Sequence, residues 1–197
     1  VPGNFNYEDS TKRDFQHKHV HDEVFVGFSQ GLEDGFSKRW SLGLASEEDR
    51  LANEDGIQID GMRRERSYPW IERQWVEDRF TTLENLNQIH RTEDVPLGLN
   101  LRTRIGYAPS AWDTLNSQWV YEIEAMNTLT DSSHHLFQVT SLLTGAWLMP
   151  DDRAQNVLLN MKAEYHYMES TWRRWYGRIQ FDYGKALTPD LWLTLGG

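Results

Sequence analysis

Taken at every second residue, the run "LGLNLRTRIGYA" splits into two faces. Leu97, Leu99, Leu101, Thr103, Ile105 and Tyr107 fall on one, and Gly98, Asn100, Arg102, Arg104 and Gly106 on the other. Period two is the signature of a β-strand, whose successive side chains point to opposite faces. The pattern recurs. Trp40, Leu42 and Leu44 alternate with Arg39, Ser41, Gly43 and Ala45. Trp119, Tyr121, Ile123 and Ala125 alternate with Glu122 and Glu124. Val157, Leu159, Met161, Ala163, Tyr165 and Tyr167 alternate with Asn160, Lys162, Glu164 and His166. Trp175, Gly177, Ile179, Phe181 and Tyr183 alternate with Arg174, Arg178, Gln180 and Asp182. "HLFQVTSLLTGAW" is apolar on both faces. Turn-forming runs such as "QGLEDG", "NTLTDSSH" and "MPDDRAQ" separate these stretches, so consecutive strands are expected to pair as antiparallel hairpins. The polar runs "EEDRLANEDGIQIDGMRRERS" and "TTLENLNQIHRTEDV" read as longer connections. The spacing predicts an all-β antiparallel meander of about eight or nine strands in a single region, 1–197.

Composition narrows the classes. The chain has 197 residues, 9 Trp and 8 Tyr, side chains favoured where an apolar body meets a wet boundary. Its net charge of −10 makes nucleic acid an unsuitable partner, because phosphate recognition needs clustered cations. It has no cysteine, which excludes disulfide scaffolds, thiolate metal sites and thiol catalysis. The first residues lack the basic and apolar segments of a secretory signal.

Two architectures share this alternation. A soluble barrel or sandwich packs its apolar face inward, whereas an outer-membrane barrel turns that face to lipid and lines its lumen with polar residues. The polar faces here pair Arg with Asp or Glu and include Gly43, Gly98 and Gly106. The apolar faces carry Trp40, Tyr107, Trp119, Trp147, Tyr167 and Trp175 near strand ends, as an aromatic girdle does. Both features suit the membrane reading. It predicts that Leu99, Leu101, Ile105, Trp119, Tyr121, Val157, Leu159, Ile179 and Phe181 face outward.

The run from Tyr68 to Pro109, "YPWIERQWVEDRFTTLENLNQIHRTEDVPLGLNLRTRIGYAP", resembles the barrel region of the bacterial surface antigen family, the outer-membrane insertases and two-partner secretion transporters. Val24 to Ser46 resembles an early hairpin of those barrels, and "LWLTLGG" (Leu191 to Gly197) resembles the strand that leads into the family's Arg-Gly-aromatic loop. That tip motif is absent from the sequence, as are the family's periplasmic modules and closing aromatic residue. The resemblance implies a fragment of a larger transmembrane-type β-barrel of the bacterial outer membrane. Its partners would be the outer-membrane lipid bilayer and a polypeptide client that it inserts or translocates. It also implies that Leu191 to Leu195 is an interior strand of a larger sheet, with Leu191, Leu193 and Leu195 toward lipid.

Candidate chemistry is sparse. His17, His19 and His21, followed by Glu23, alternate on one strand face and carry ligand types for zinc or copper. They would lie in a line about 6–7 Å apart, however, whereas a tetrahedral site gathers ligands from several elements. The simpler reading is a polar rim, with no metal and no cofactor. Glu122, Glu124, Glu164 and Asp182 invite a hydrolase, but facing arginines account for them as cross-strand ion pairs. No nucleophile elbow, phosphate loop or zinc-protease motif occurs, and no enzyme is expected. The lumen-lining candidates are Arg102, Arg104, Glu122, Glu124, Lys162, Glu164, Arg174, Arg178 and Asp182, with Arg102 and Arg104 expected to pair with Glu122 or Glu124. The alternative is a soluble antiparallel barrel holding a small apolar ligand.

Overall fold

The computed structural model describes residues 2–6, 12–53, 58–84, 92–112, 116–131, 134–149, 151–170 and 173–188, with side chains except at 2–6, 12–17, 51–53, 58–63 and 84. They form one antiparallel meander of β1 (Pro2–Asn6), β2 (Lys12–Glu33), β3 (Phe36–Asn53), β4 (Gln58–Glu77), β5 (Arg79–Glu84), β6 (Thr92–Ala108), β7 (Gln118–Thr130), β8 (His135–Leu148), β9 (Arg153–Ser170) and β10 (Arg173–Lys185). The order across the sheet is the order along the chain, except that β4 and β5 lie on the same side of β6. They share one register, with Val76 opposite Asn100 and Arg79 opposite Leu97, so they behave as one strand broken at Asp78. The architecture is all-β. Among the described residues the sheet is open, and the closed barrel allowed by the alternation is not formed. β10 pairs with β9 and β1 with β2, which leaves both outer edges free of a described strand. Every β10 side chain from Arg173 to Tyr183 is exposed, as befits a strand with no described strand against its far side.

Local chemistry explains the connections. Asp34 and Gly35 both have positive φ, 53° and 78°, the two-residue turn whose twist matches antiparallel strands. The charged run 47–67, expected to be a connection, is mostly strand: β3 continues to Asn53 and β4 starts at Gln58. A Glu or Arg at every second position is as compatible with a two-faced strand as a Leu, provided that its face is polar.

Gly98 sets an irregularity that reorients side chains on β6. Its φ is +76°, and Glu77 folds under it so that its carboxylate accepts the Leu99 N–H at 2.9 Å. The kink reverses which side chains face which way, as a bulge does. Leu97 therefore leaves the face of Leu99 and Leu101, where plain alternation placed it. It packs instead with Leu83, Val95 and Leu136 of β8, backed by Met168 of β9. Because β7 separates β6 from β8, this cluster shows that the β5–β6 end bends over the polar side of the sheet.

Two aromatic rings fix the curvature on that side. Trp70 lies over Gly43 of β3, and Tyr68 over Gly106 of β6; a Cβ at either glycine would come within 2.5 Å of the ring. Both rings belong to a buried cluster with Ala45 and Ala108.

Gly106→Val is expected to lower stability by about 2–3 kcal/mol, because the buried Tyr68 ring has no room to move. Gly177, where a Cβ would meet nothing within 4 Å, should accept Val at a cost under about 1 kcal/mol. Urea unfolding followed by tryptophan fluorescence compares the two. The Glu77 carboxyl is held below the ordinary carboxylate range, first by the Leu99 N–H and then by Arg79. A lowered folded-state value stabilises above the unfolded-state value and is lost as pH falls through the folded one. Exchange of the Leu99 amide, corrected for its intrinsic rate, should therefore accelerate as pH drops below about 4, and Glu77→Gln should abolish that dependence.

Candidate functional site

The pairing register assigns every side chain to a face. Arg102 is opposite Glu124 and Arg104 opposite Glu122; Glu122 is opposite Thr144, and Glu164 opposite Arg178. All the charged candidates from Arg102 to Asp182 thus share one face of the sheet, the concave one that also carries Tyr68 and Trp70.

Its centre is a ladder of alternating charge. Arg102 contacts Glu122 at 2.6 Å and Glu124 at 2.7 Å, and reaches Glu72 of β4 at 3.3 Å. Arg104 does not take its register neighbour Glu122. It bonds Glu72 at 2.9 Å and Glu23 of β2 at 2.9 Å, while its guanidinium lies 3.8 Å from the Trp70 ring centroid. Gly43 on β3 leaves room for the Trp70 ring, and Arg104 extends over that ring, whose π-face meets the cation.

A second group flanks this ladder. Asp49, 2% exposed, accepts from Arg64 Nη2 at 2.6 Å and from His19 Nδ1 at 2.7 Å. Glu47 accepts from Arg66 Nη2 and Tyr68 Oη, both at 2.5 Å. His19 and Glu23 belong to the histidine cluster, whereas Glu47, Asp49, Arg64, Arg66 and Glu72 are not among the sequence candidates, the first four because their segment reads as a connection. Alternation of Arg64, Arg66, Tyr68, Trp70 and Glu72 was the signal that could have found them. Toward the far edge, Lys162 and Tyr176 both bond Glu164, at 2.7 and 2.6 Å, and Asn160 and Gln180 bond Asp182. Arg178 bonds Gln180, and Arg174 lines a hollow with His166 and Tyr176 beneath the bent β5–β6 end. Arg174, Arg178 and Asp182 sit on the exposed edge strand, so they share the polar face without being enclosed by it.

His21 donates to Glu23 at 3.2 Å, and its ring lies 6.5 Å from that of His19. Each imidazole takes its own acidic partner. Among the described residues no group of three His, Cys, Asp or Glu side chains has the geometry to hold a metal ion, and the His17 side chain lies outside them. A cleft of about 290 Å³ runs along the concave face, between His21, Glu47 and Arg66 on one wall and Glu122, Thr144 and Asn156 on the other. The arrangement offers fixed charges of both signs to whatever occupies it.

The opposite face is apolar across the sheet. Val24, Val26, Leu42, Leu44, Ile71, Ile105, Ile123, Phe137, Met161, Ile179 and Phe181 are all exposed there, Ile179 to 75%. The nine side chains expected to face outward lie on this face, with Leu159 opposite Tyr183, Ile179 opposite Ala163 and Ile105 opposite Tyr121. Tyr107, Trp119 and Trp147 align across β6, β7 and β8, and Tyr167 is opposite both Trp175 and His135 at the other end. Leu191 to Gly197 lies outside the described residues.

Comparison with protein-family models, with characterised proteins and with solved structures finds no match to this chain.

Arg102→Met leaves Glu72, Glu122 and Glu124 facing one another without their shared cation. Stability should fall by about 1–3 kcal/mol at pH 7, less than for a fully buried pair because the site is partly wet. Urea unfolding midpoints of the two proteins measure it.

Proposed function

We propose that this chain is a segment of an outer-membrane β-barrel, with its apolar face in lipid and its concave face lining a polar passage. The facing is the observation that carries this reading. A soluble monomer rarely exposes contiguous apolar surface beyond a few hundred Å². Here nearly every strand turns its large apolar residues outward and its ion pairs inward. A soluble barrel that binds an apolar ligand would require the opposite.

The dimensions agree with a bilayer. On β8, Trp147 and Phe137 are ten residues apart and both face outward. At about 3.3 Å per residue they are about 33 Å apart along the strand, or roughly 25 Å in height for a strand tilted by about 40°. That is the height of the apolar band of an outer-membrane barrel. Beyond it, the outward faces of β3 and β4 turn polar at Ser46, Glu48, Glu65 and Ser67, as strands do that project past the lipid.

Unpaired edges are costly in lipid, so strands outside this chain, or another molecule, complete the sheet. The resemblance of Tyr68 to Pro109 to surface antigen barrels extends the reading to a client: a polypeptide inserted or translocated at the bacterial outer membrane. The mechanism is non-enzymatic. Backbone edges offer hydrogen bonds to an incoming strand, and paired charges line the passage without presenting a net field of one sign.

Refolding the chain into phosphatidylcholine vesicles tests this reading. It should float with the lipid and gain strand circular dichroism. Ile123→Arg, on the outward face, should weaken insertion by about 2–4 kcal/mol, whereas Thr144→Arg, beside Glu122 on the concave face, should insert normally. Equal loss in both variants, or a monodisperse folded monomer that ignores vesicles, would overturn it.

A further inference from the structure

Arg73 points to the wrong side. Along β4, Arg64, Arg66 and Glu72 face the concave side and Glu65 faces outward past the apolar band, but Arg73 pairs with Trp40 of β3 and Thr103 of β6 within the outward apolar face. A cation on a lipid-facing strand costs about 2–4 kcal/mol at the bilayer midplane and almost nothing near the headgroups. Arg73 is near the headgroups. The next outward pair toward the turn is Lys38 opposite Trp75, and Lys38 bonds Glu33 at the hairpin end.

Its surroundings are built and yet incomplete. The guanidinium lies 4.7 Å from the Trp40 ring centroid and 4.1 Å from that of Trp75. Two indoles orient the plane and shield its faces. No carboxylate among the described residues meets it, and its Nε is buried without a hydrogen-bond partner. The charged arginines on the concave side are treated differently: Arg64, Arg66, Arg102 and Arg104 each hold at least one carboxylate. A planar fork of N–H donors, fixed by aromatic faces and lacking its anion, matches the oxygens of a phosphate. Tryptophan is also the residue favoured at that depth.

We infer that Trp40, Arg73 and Trp75 form a binding site on the outward face for the headgroup phosphate of an anionic membrane lipid. The inference rests on the membrane reading, and it adds that one lipid is held at a defined place at the rim. The lipid's chains would lie along Leu42, Ile71 and Ile105, which continue the outward face from the site away from the hairpin end.

The full chain is refolded in detergent micelles, titrated with phosphatidylglycerol and read by native mass spectrometry. The wild type should retain one phosphatidylglycerol more than Arg73→Leu, whose apparent affinity should be about tenfold weaker, the loss of a charge-assisted contact. Arg73→Lys, which keeps the charge but loses the planar fork, should fall between them. Excess inorganic phosphate should leave the bound lipid in place. Retention by Arg73→Leu equal to wild type, in protein that still floats with vesicles, overturns the site and leaves the membrane reading intact. Displacement by inorganic phosphate overturns the assignment to lipid. Failure of every form to associate with vesicles overturns both.

Discussion

Arg104 bonds Glu23 across two intervening strands, and much of the structure follows from that contact. β6 and β2 are three strand spacings apart, about 14 Å along the sheet. Side chains from a flat sheet cannot close that distance while also bonding Glu72 between them. The sheet must curl toward its charged face. Curling crowds that face, which is why Trp70 and Tyr68 lie over the glycines Gly43 and Gly106. Charges brought together in this way need opposite partners, because an isolated ion taken from water is costly. Arg102, Arg104, Glu23, Glu72, Glu122 and Glu124 supply one another.

The same curl sets the character of the other face. Convex strands splay their side chains, so Val26, Leu42, Ile123 and Ile179 do not bury one another. The hydrophobic effect that stabilises an ordinary domain core is therefore left unsatisfied by this chain alone. Lipid supplies that burial in the proposed function, and Arg73, toward the hairpin end of the outward face, is the cation that needs a separate account. The edges of β1 and β10, which no described strand pairs, pose the same demand along the hydrogen-bonding direction.

The concave side is not a uniform channel. The β5–β6 end leans over it, held by Leu83, Val95 and Leu97 against Leu136, and the cleft beneath Tyr68 is lined by charges of both signs. Gly98 makes this possible, since its positive φ is a conformation that a β-branched residue would not adopt without strain. One backbone torsion redirects a hairpin end from the sheet surface into the passage.

By itself, the sequence determined the strand class, the hairpin order and the two faces, because period two needs no tertiary information: Ile105 and Arg104 must point apart wherever the strand sits. It did not reveal that "EEDRLANEDGIQIDGMRRERS" is largely strand, since the alternation of like-charged residues resembles a solvated connection until a partner face exists. Nor did it determine which acid each arginine takes. Arg102 met the expected Glu122 and Glu124, but Arg104 turned to Glu23, eighty-one residues away, because only curvature brings β2 within its reach. The fate of Leu97 likewise depended on the φ of Gly98, a torsion that alternation cannot encode. Alternation is local and is written in residue order; curvature, ion-pair choice and the open edges depend on how strands distant in the chain are brought together, and only the tertiary structure decides that.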